Sequence, residues 1–163
     1  MTSQENSKIR GFNLIELIIV VVLIGIIAAI AIPRLSRGSS GSADSALSGN
    51  LAVLRSAIDL YSREHNGAYP ALATFDAQLT QYTDPAGAIS PEKTETTIFG
   101  PYLRKIPALP VGANKGNSSV IDTNSATVGS VAGGWFYDPT RGTIQANCAD
   151  SELDSTGKKY NSY

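Results

Sequence analysis

The sequence predicts an α+β chain: one long N-terminal helix, apolar in its first half and amphipathic in its second, packed on a small antiparallel sheet with irregular loops. Three observations carry this expectation. Residues 12–32 read FNLIELIIVVVLIGIIAAIAI, an apolar run in which Glu16 is the one charged residue. Leu47, Leu51, Leu54, Ile58 and Tyr61 then recur at the spacing of a single helical face. Late in the chain, Gly134-Trp135-Phe136-Tyr137 and Gly142-Thr143-Ile144-Gln145 flank Asp138-Pro139-Thr140-Arg141, a hairpin pattern.

The first element spans roughly 30 Å as a helix, at about 1.5 Å per residue, which matches a bilayer core. Its isoleucines and valines favour strand in water. In lipid every backbone group must bond within the segment, so helix is expected. Lys8 and Arg10 precede the run, and Arg34 and Arg37 follow it, so flanking charge gives little orientation. A secretory signal peptide is one alternative, because Ala29-Ile30-Ala31 has the small-x-small form of a cleavage site. An uncleaved anchor is another. Neither gives Glu16 a task. A carboxylate in a spanning helix costs about 2.5–3.5 kcal/mol at the centre and less near the ends, and at the helix start the dipole favours negative charge. A cut between Gly11 and Phe12 would create an α-amine four residues before Glu16, on the same helical face.

The string Gly11-Phe12-Asn13-Leu14-Ile15-Glu16-Leu17, after a short basic leader and before the apolar run, closely resembles the processing motif of type IV prepilins and of type II secretion pseudopilins. The resemblance implies cleavage after Gly11 by a prepilin peptidase and N-methylation of Phe12. It also implies that Glu16 meets the Phe12 amine of a neighbouring subunit during filament assembly. The expected parts are a leader (1–11), a transmembrane and filament-core half of the helix (12–33), an amphipathic half (34–66) and a globular head (67–163) with a C-terminal hairpin and a polar tail.

Pro33 removes a helical donor, and Gly38-Ser39-Ser40-Gly41-Ser42 forms helix weakly, so the helix is expected to be broken or loosened there. Asn66-Gly67 and Pro70 mark its end. Thr74 is a candidate cap for a short helix through about Tyr82, ended by Asp84-Pro85-Ala86-Gly87. Pro101, Pro107 and Pro110 make the middle a poor place for regular structure. The polar tail from Asp150 to Tyr163 is expected to be mobile. Gly67-Ala68-Tyr69-Pro70, Gly100-Pro101-Tyr102-Leu103, Pro107-Ala108-Leu109-Pro110 and Gly134-Trp135-Phe136-Tyr137 resemble, in order, landmarks of the major pseudopilin group. The chain departs from related patterns in two ways. Cys148 is the sole cysteine, so no disulfide closes a C-terminal loop. Asp150, Glu152 and Asp154 are the candidate calcium ligands that the resemblance suggests, but the loop around them does not match the group's calcium loop, and no other cofactor is expected.

Nothing else in the sequence points to catalysis. His65 is the one histidine and Cys148 the one thiol, so zinc spacing is absent, and there is no phosphate loop or nucleophile elbow. A formal net charge of −1 gives no reason to expect nucleic acid as a partner. The resemblance leads to the expectation of a structural, non-enzymatic subunit of a type IV pilus-like filament, a type II secretion pseudopilin involved in protein export, that assembles with its own copies and with minor pilins. Its other partners are the prepilin peptidase, the inner-membrane assembly machinery and membrane lipid. It would sit as a single pass in the inner membrane with a cytoplasmic N-terminus and a periplasmic head. The alternatives are a pilin for adhesion, motility or DNA uptake, and a membrane-tethered binding module.

Overall fold

The computed structural model describes residues 13–123 and 131–163, and the side chains of 31–40 lie outside this description. The chain divides into two compact units, Met1–Ser39 and Ser40–Tyr163. One helix, α1 (Leu14–Glu64, 51 residues), contributes to both. The break expected at Pro33 and the loosening expected over 38–42 do not end it, because its range passes through both. A proline costs a helix one hydrogen bond and a local clash, which a long helix survives.

In the second unit α1 carries the stripe read from the sequence. Leu47, Leu51, Leu54, Ile58 and Tyr61 are each no more than 2% exposed, whereas Arg55, Asp59 and Arg63 face outward. Asn66 adopts a left-handed φ of 55°, and the Gly67 N–H reaches back to the Ser62 carbonyl at 2.7 Å. That six-to-one closure explains why Asn-Gly stops the helix here.

A 3₁₀ turn (Leu72–Thr74) leads into α2 (Phe75–Thr80), which buries Phe75, Gln78 and Leu79. Thr74 stands at the cap position but makes no side-chain cap bond; its hydroxyl turns back to the Ala71 carbonyl at 3.5 Å. The helix also stops short of Tyr82, because Tyr82–Thr83 forms β1 and pairs antiparallel with β2 (Ile89–Ser90). Asp84 closes the turn between them by accepting the Ala86 and Ala88 N–H groups. This small hairpin was not expected from sequence. Residues 91–119 hold no helix or strand, as their prolines suggest.

The main sheet has the order β3-β4-β5, with β3 (Val120–Asp122), β4 (Trp135–Asp138) and β5 (Thr143–Ala146). β4 and β5 form the expected hairpin, each strand one residue later than read, with Trp135 opposite Ala146 and Asp138 opposite Thr143. β3 runs parallel to β4, so the sheet is mixed and not purely antiparallel. Gly134 is forced at the entry to β4, since a Cβ there would lie 2.0 Å from the Asn117 carbonyl oxygen.

One core joins these parts. Leu47, Leu51, Leu54, Ile58 and Tyr61 pack with Phe75, Leu79, Leu109, Trp135, Tyr137 and Ile144. The aromatic run is therefore core and not a ligand surface. Trp135 Nε1 donates to the Pro107 carbonyl at 2.8 Å and the Tyr137 hydroxyl to that of Pro70 at 3.0 Å, so the polar ends of both buried rings are satisfied. The segment Ser40–Tyr163 expressed alone is expected to be soluble and to unfold cooperatively in urea. Leu54→Ala should lower its stability by about 2–5 kcal/mol; a loss below 1 kcal/mol would show that the stripe does not hold the core.

Candidate assembly site at the start of the long helix

The first turn of α1 is closed by reciprocal bonds. Asn13 precedes the first helical residue, and its Oδ1 accepts the Ile15 N–H at 3.4 Å. Glu16 folds back so that Oε2 accepts the Asn13 N–H at 3.2 Å. The Asn13 carbonyl accepts from the Glu16 and Leu17 N–H groups at 3.0 and 3.2 Å. This is a capping box, which satisfies donors that a helix start otherwise leaves bare. The carboxylate also sits where the helix dipole favours negative charge. The signal was present in the sequence, as Asn followed three residues later by Glu ahead of an apolar run, and it was missed. Gly11 and Phe12, the expected cleavage and methylation residues, lie outside the described residues.

Beyond the box the helix is apolar on all sides and uncovered. Leu14, Ile15 and every large apolar residue from Leu17 to Ile30 is between 47% and 74% exposed. A helix that is hydrophobic all round is the kind that proteins bury, in a core or in lipid. Among the described residues no helix is long and apolar enough to cross a membrane. The expected 12–33 span extends past the described side chains at both ends, and the described part, 14–30, is about 26 Å of helix.

The candidate calcium ligands do not converge. The carboxylate of Asp150 takes the Lys159 amine at 2.6 Å and Asn161 Nδ2 at 2.8 Å. Glu152 accepts the Ala113 and Ala149 N–H groups at 2.5 and 2.7 Å. Asp154 accepts from the Thr156 and Lys158 N–H groups and from the Thr156 and Tyr163 hydroxyls. Among the described residues no group of three acidic, histidine or cysteine side chains is placed to hold a metal. His65 is 3% exposed; its ring stacks on Tyr61 at 3.8 Å between centroids, and Nδ1 meets the Tyr61 carbonyl at 2.8 Å. Burial, and then the Glu152 carboxylate beside it, push the fully buried Cys148 thiol up to about 12, which leaves it a poor nucleophile.

The polar tail, expected to be mobile, is instead tied to α1. Asp44 accepts the Ser155 N–H at 3.1 Å, the Ser155 hydroxyl at 2.8 Å and the Tyr160 hydroxyl at 2.9 Å. Arg55 donates to the carbonyls of Tyr163 at 2.6 Å and Ile144 at 3.2 Å. Tyr160 and Tyr163 pack against the core, so two aromatics hidden in a polar stretch supply the docking energy that composition alone does not reveal. Partial burial pushes the Asp44 carboxyl up, but the Ser155 and Tyr160 donors together hold it below its ordinary value. The Tyr163 hydroxyl, followed by that of Thr156, holds Asp154 well below its own.

Among the described residues, then, a helix that opens on a capped carboxylate and continues as exposed apolar surface precedes a compact α+β unit. Residues 6–32 match the family model described as the prokaryotic N-terminal methylation motif, the signature of type IV pilin and pseudopilin proteins. The chain carries that signature, and the proteins that bear it are structural. No curated protein matches the chain, and no solved structure does.

Both lowered carboxyls bind fewer protons in the folded state than in the unfolded one. Their contribution to stability is present above about pH 4 and is lost as pH falls through the lower folded values. The unfolding midpoint of the wild type is expected to fall between pH 5 and pH 2.5, and Asp44→Asn to flatten that fall while lowering the midpoint at pH 7. An unchanged pH profile in Asp44→Asn would show that the tail is held by other contacts.

Proposed function

We propose that the chain is a structural subunit of a type IV pilus-like filament, of the type II secretion pseudopilin kind that assists protein export. The observation that carries this reading is the position of Glu16, a carboxylate in the first turn of an uncovered apolar helix, five residues after Gly11 in the matched motif. In this mechanism a prepilin peptidase cuts the Gly11–Phe12 bond and Phe12 is N-methylated. The subunit waits in the inner membrane with its head on the periplasmic side, its apolar helix covered by lipid. An assembly machine then moves it into a filament, with its own copies and minor subunits, where helices cover helices. Glu16 neutralises the Phe12 amine of a neighbour, so that neither charge enters the bundle alone. The secretion assignment, as against a pilus for adhesion or motility, is supported by the order of Gly67-Ala68-Tyr69-Pro70, Gly100-Pro101-Tyr102-Leu103 and Gly134-Trp135-Phe136-Tyr137.

The mature chain is expected to begin at N-methyl-Phe12, as read from intact mass and N-terminal sequence of membrane-extracted protein. Gly11→Val should leave uncut precursor in the membrane, because a subsite fitted to glycine has no room for a branched side chain. A wild type that remains uncut beside an active prepilin peptidase would overturn the reading.

Glu16→Gln keeps the size of the side chain and removes its charge. It should be processed and accumulate normally, but enter sheared filaments at least tenfold less well, since an unpaired buried charge costs about 3–5 kcal/mol. Filament yield equal to wild type would reduce Glu16 to an interfacial carboxylate.

A further inference from the structure

From the geometry of the first turn we infer that Asn13 is a positioning residue for Glu16, an inference that rests on the assembly reading above. Glu16 has three side-chain torsions, and on a bare helix start its carboxylate would sample many directions, including away from the chain end. Two bonds restrict it. The Asn13 side chain holds the Ile15 N–H at 3.4 Å, which fixes the helix start at Leu14. The Asn13 N–H then holds Glu16 Oε2 at 3.2 Å, which folds the carboxylate back toward the end of the helix. A carboxylate accepts through both of its oxygens, so Glu16 can take a second donor at Oε1 while Oε2 stays engaged.

The arrangement gives Glu16 two separable uses. Accepting the Asn13 N–H needs an oxygen but no charge, and a glutamine serves in a capping box as well as a glutamate. Neutralising an amine needs the charge. Asn13 would be the second residue of the processed chain, so the residue that sets the helix start is also the one next to the new amine end. A carboxylate already restrained in the single subunit loses less freedom when a neighbour arrives, which is the general advantage of preorganisation.

The test uses the full-length chain in cells with an active assembly system, and the same chain in detergent micelles. Asn13→Ala removes the side-chain acceptor, and loss of a cap shifts a helix-start equilibrium by about fivefold. Its expected effects are normal cleavage after Gly11, about fivefold less subunit in sheared filaments, and about fivefold faster amide exchange at positions 13 and 15, with exchange in the middle of α1 unchanged. Asn13→Thr retains an acceptor and should restore both filament yield and slow exchange to within about twofold. Glu16→Gln should keep the slow exchange at position 13 while losing filaments, which separates the cap from the charge. Wild-type filament yield from Asn13→Ala, or failure of Asn13→Thr to rescue, overturns the positioning role and leaves the assembly reading standing. Failure of the wild type to be cut at Gly11 overturns the assembly reading itself. Equal exchange at position 13 in wild type and Asn13→Ala shows that the Asn13 side chain is not what keeps Glu16 on that N–H, and overturns the inference by itself.

Discussion

Five side chains on one face of α1, Leu47, Leu51, Leu54, Ile58 and Tyr61, are almost wholly withdrawn from solvent, and each apolar one contributes about 1.5–3 kcal/mol by that burial. The rest of the second unit is arranged to cover them. α2 brings Phe75 and Leu79, the loop between the hairpins brings Leu109, and the main sheet brings Trp135, Tyr137 and Ile144. Among the described residues no element of this unit is long enough to stand without the helix: α2 has six residues and the longest strands four. Short strands need a hydrophobic partner to persist, and the helix face is that partner.

The same helix is treated in opposite ways along its length. In the second unit its buried apolar residues fall on one side, and α2, the main sheet and the loop that carries Leu109 pack over them. From Leu14 to Ile30 they fall on all sides, and each large one is about half exposed or more. A patch of this kind on a soluble monomer normally marks a surface used by a partner or a membrane. The polar exception at its beginning is Glu16, and the structure gives that residue a local occupation in the capping box before any neighbour is considered.

The legible parts of the sequence were those in which a period repeats. Leu47 to Tyr61 spans four turns, so the buried face could be named residue by residue. The main hairpin was readable from aromatic and β-branched residues on either side of a Pro-containing turn. Two-residue strands such as β1 and β2 have no period to detect, and β3, three residues long, pairs in parallel with a strand that follows after a gap. Thr74 shows why a capping residue type is weaker information than a cap, since its hydroxyl chose the Ala71 carbonyl. At the candidate site Glu16 stood out because it breaks an apolar run. Asn13 did not, because a small polar residue near a helix start looks ordinary until its bonds are seen. The tail was misread because its composition is polar while its two decisive residues, Tyr160 and Tyr163, are aromatic.

Cys148 gives the second unit a built-in clock. It is the one thiol in the sequence, it lies just after β5 with no exposed surface, and its proton is held tightly by burial and by Glu152. A thiol reagent can reach it only when the end of the sheet lifts away from the neighbouring loops. Where labelling outpaces reclosing, the rate at which the folded protein takes up label therefore follows the rate of those openings.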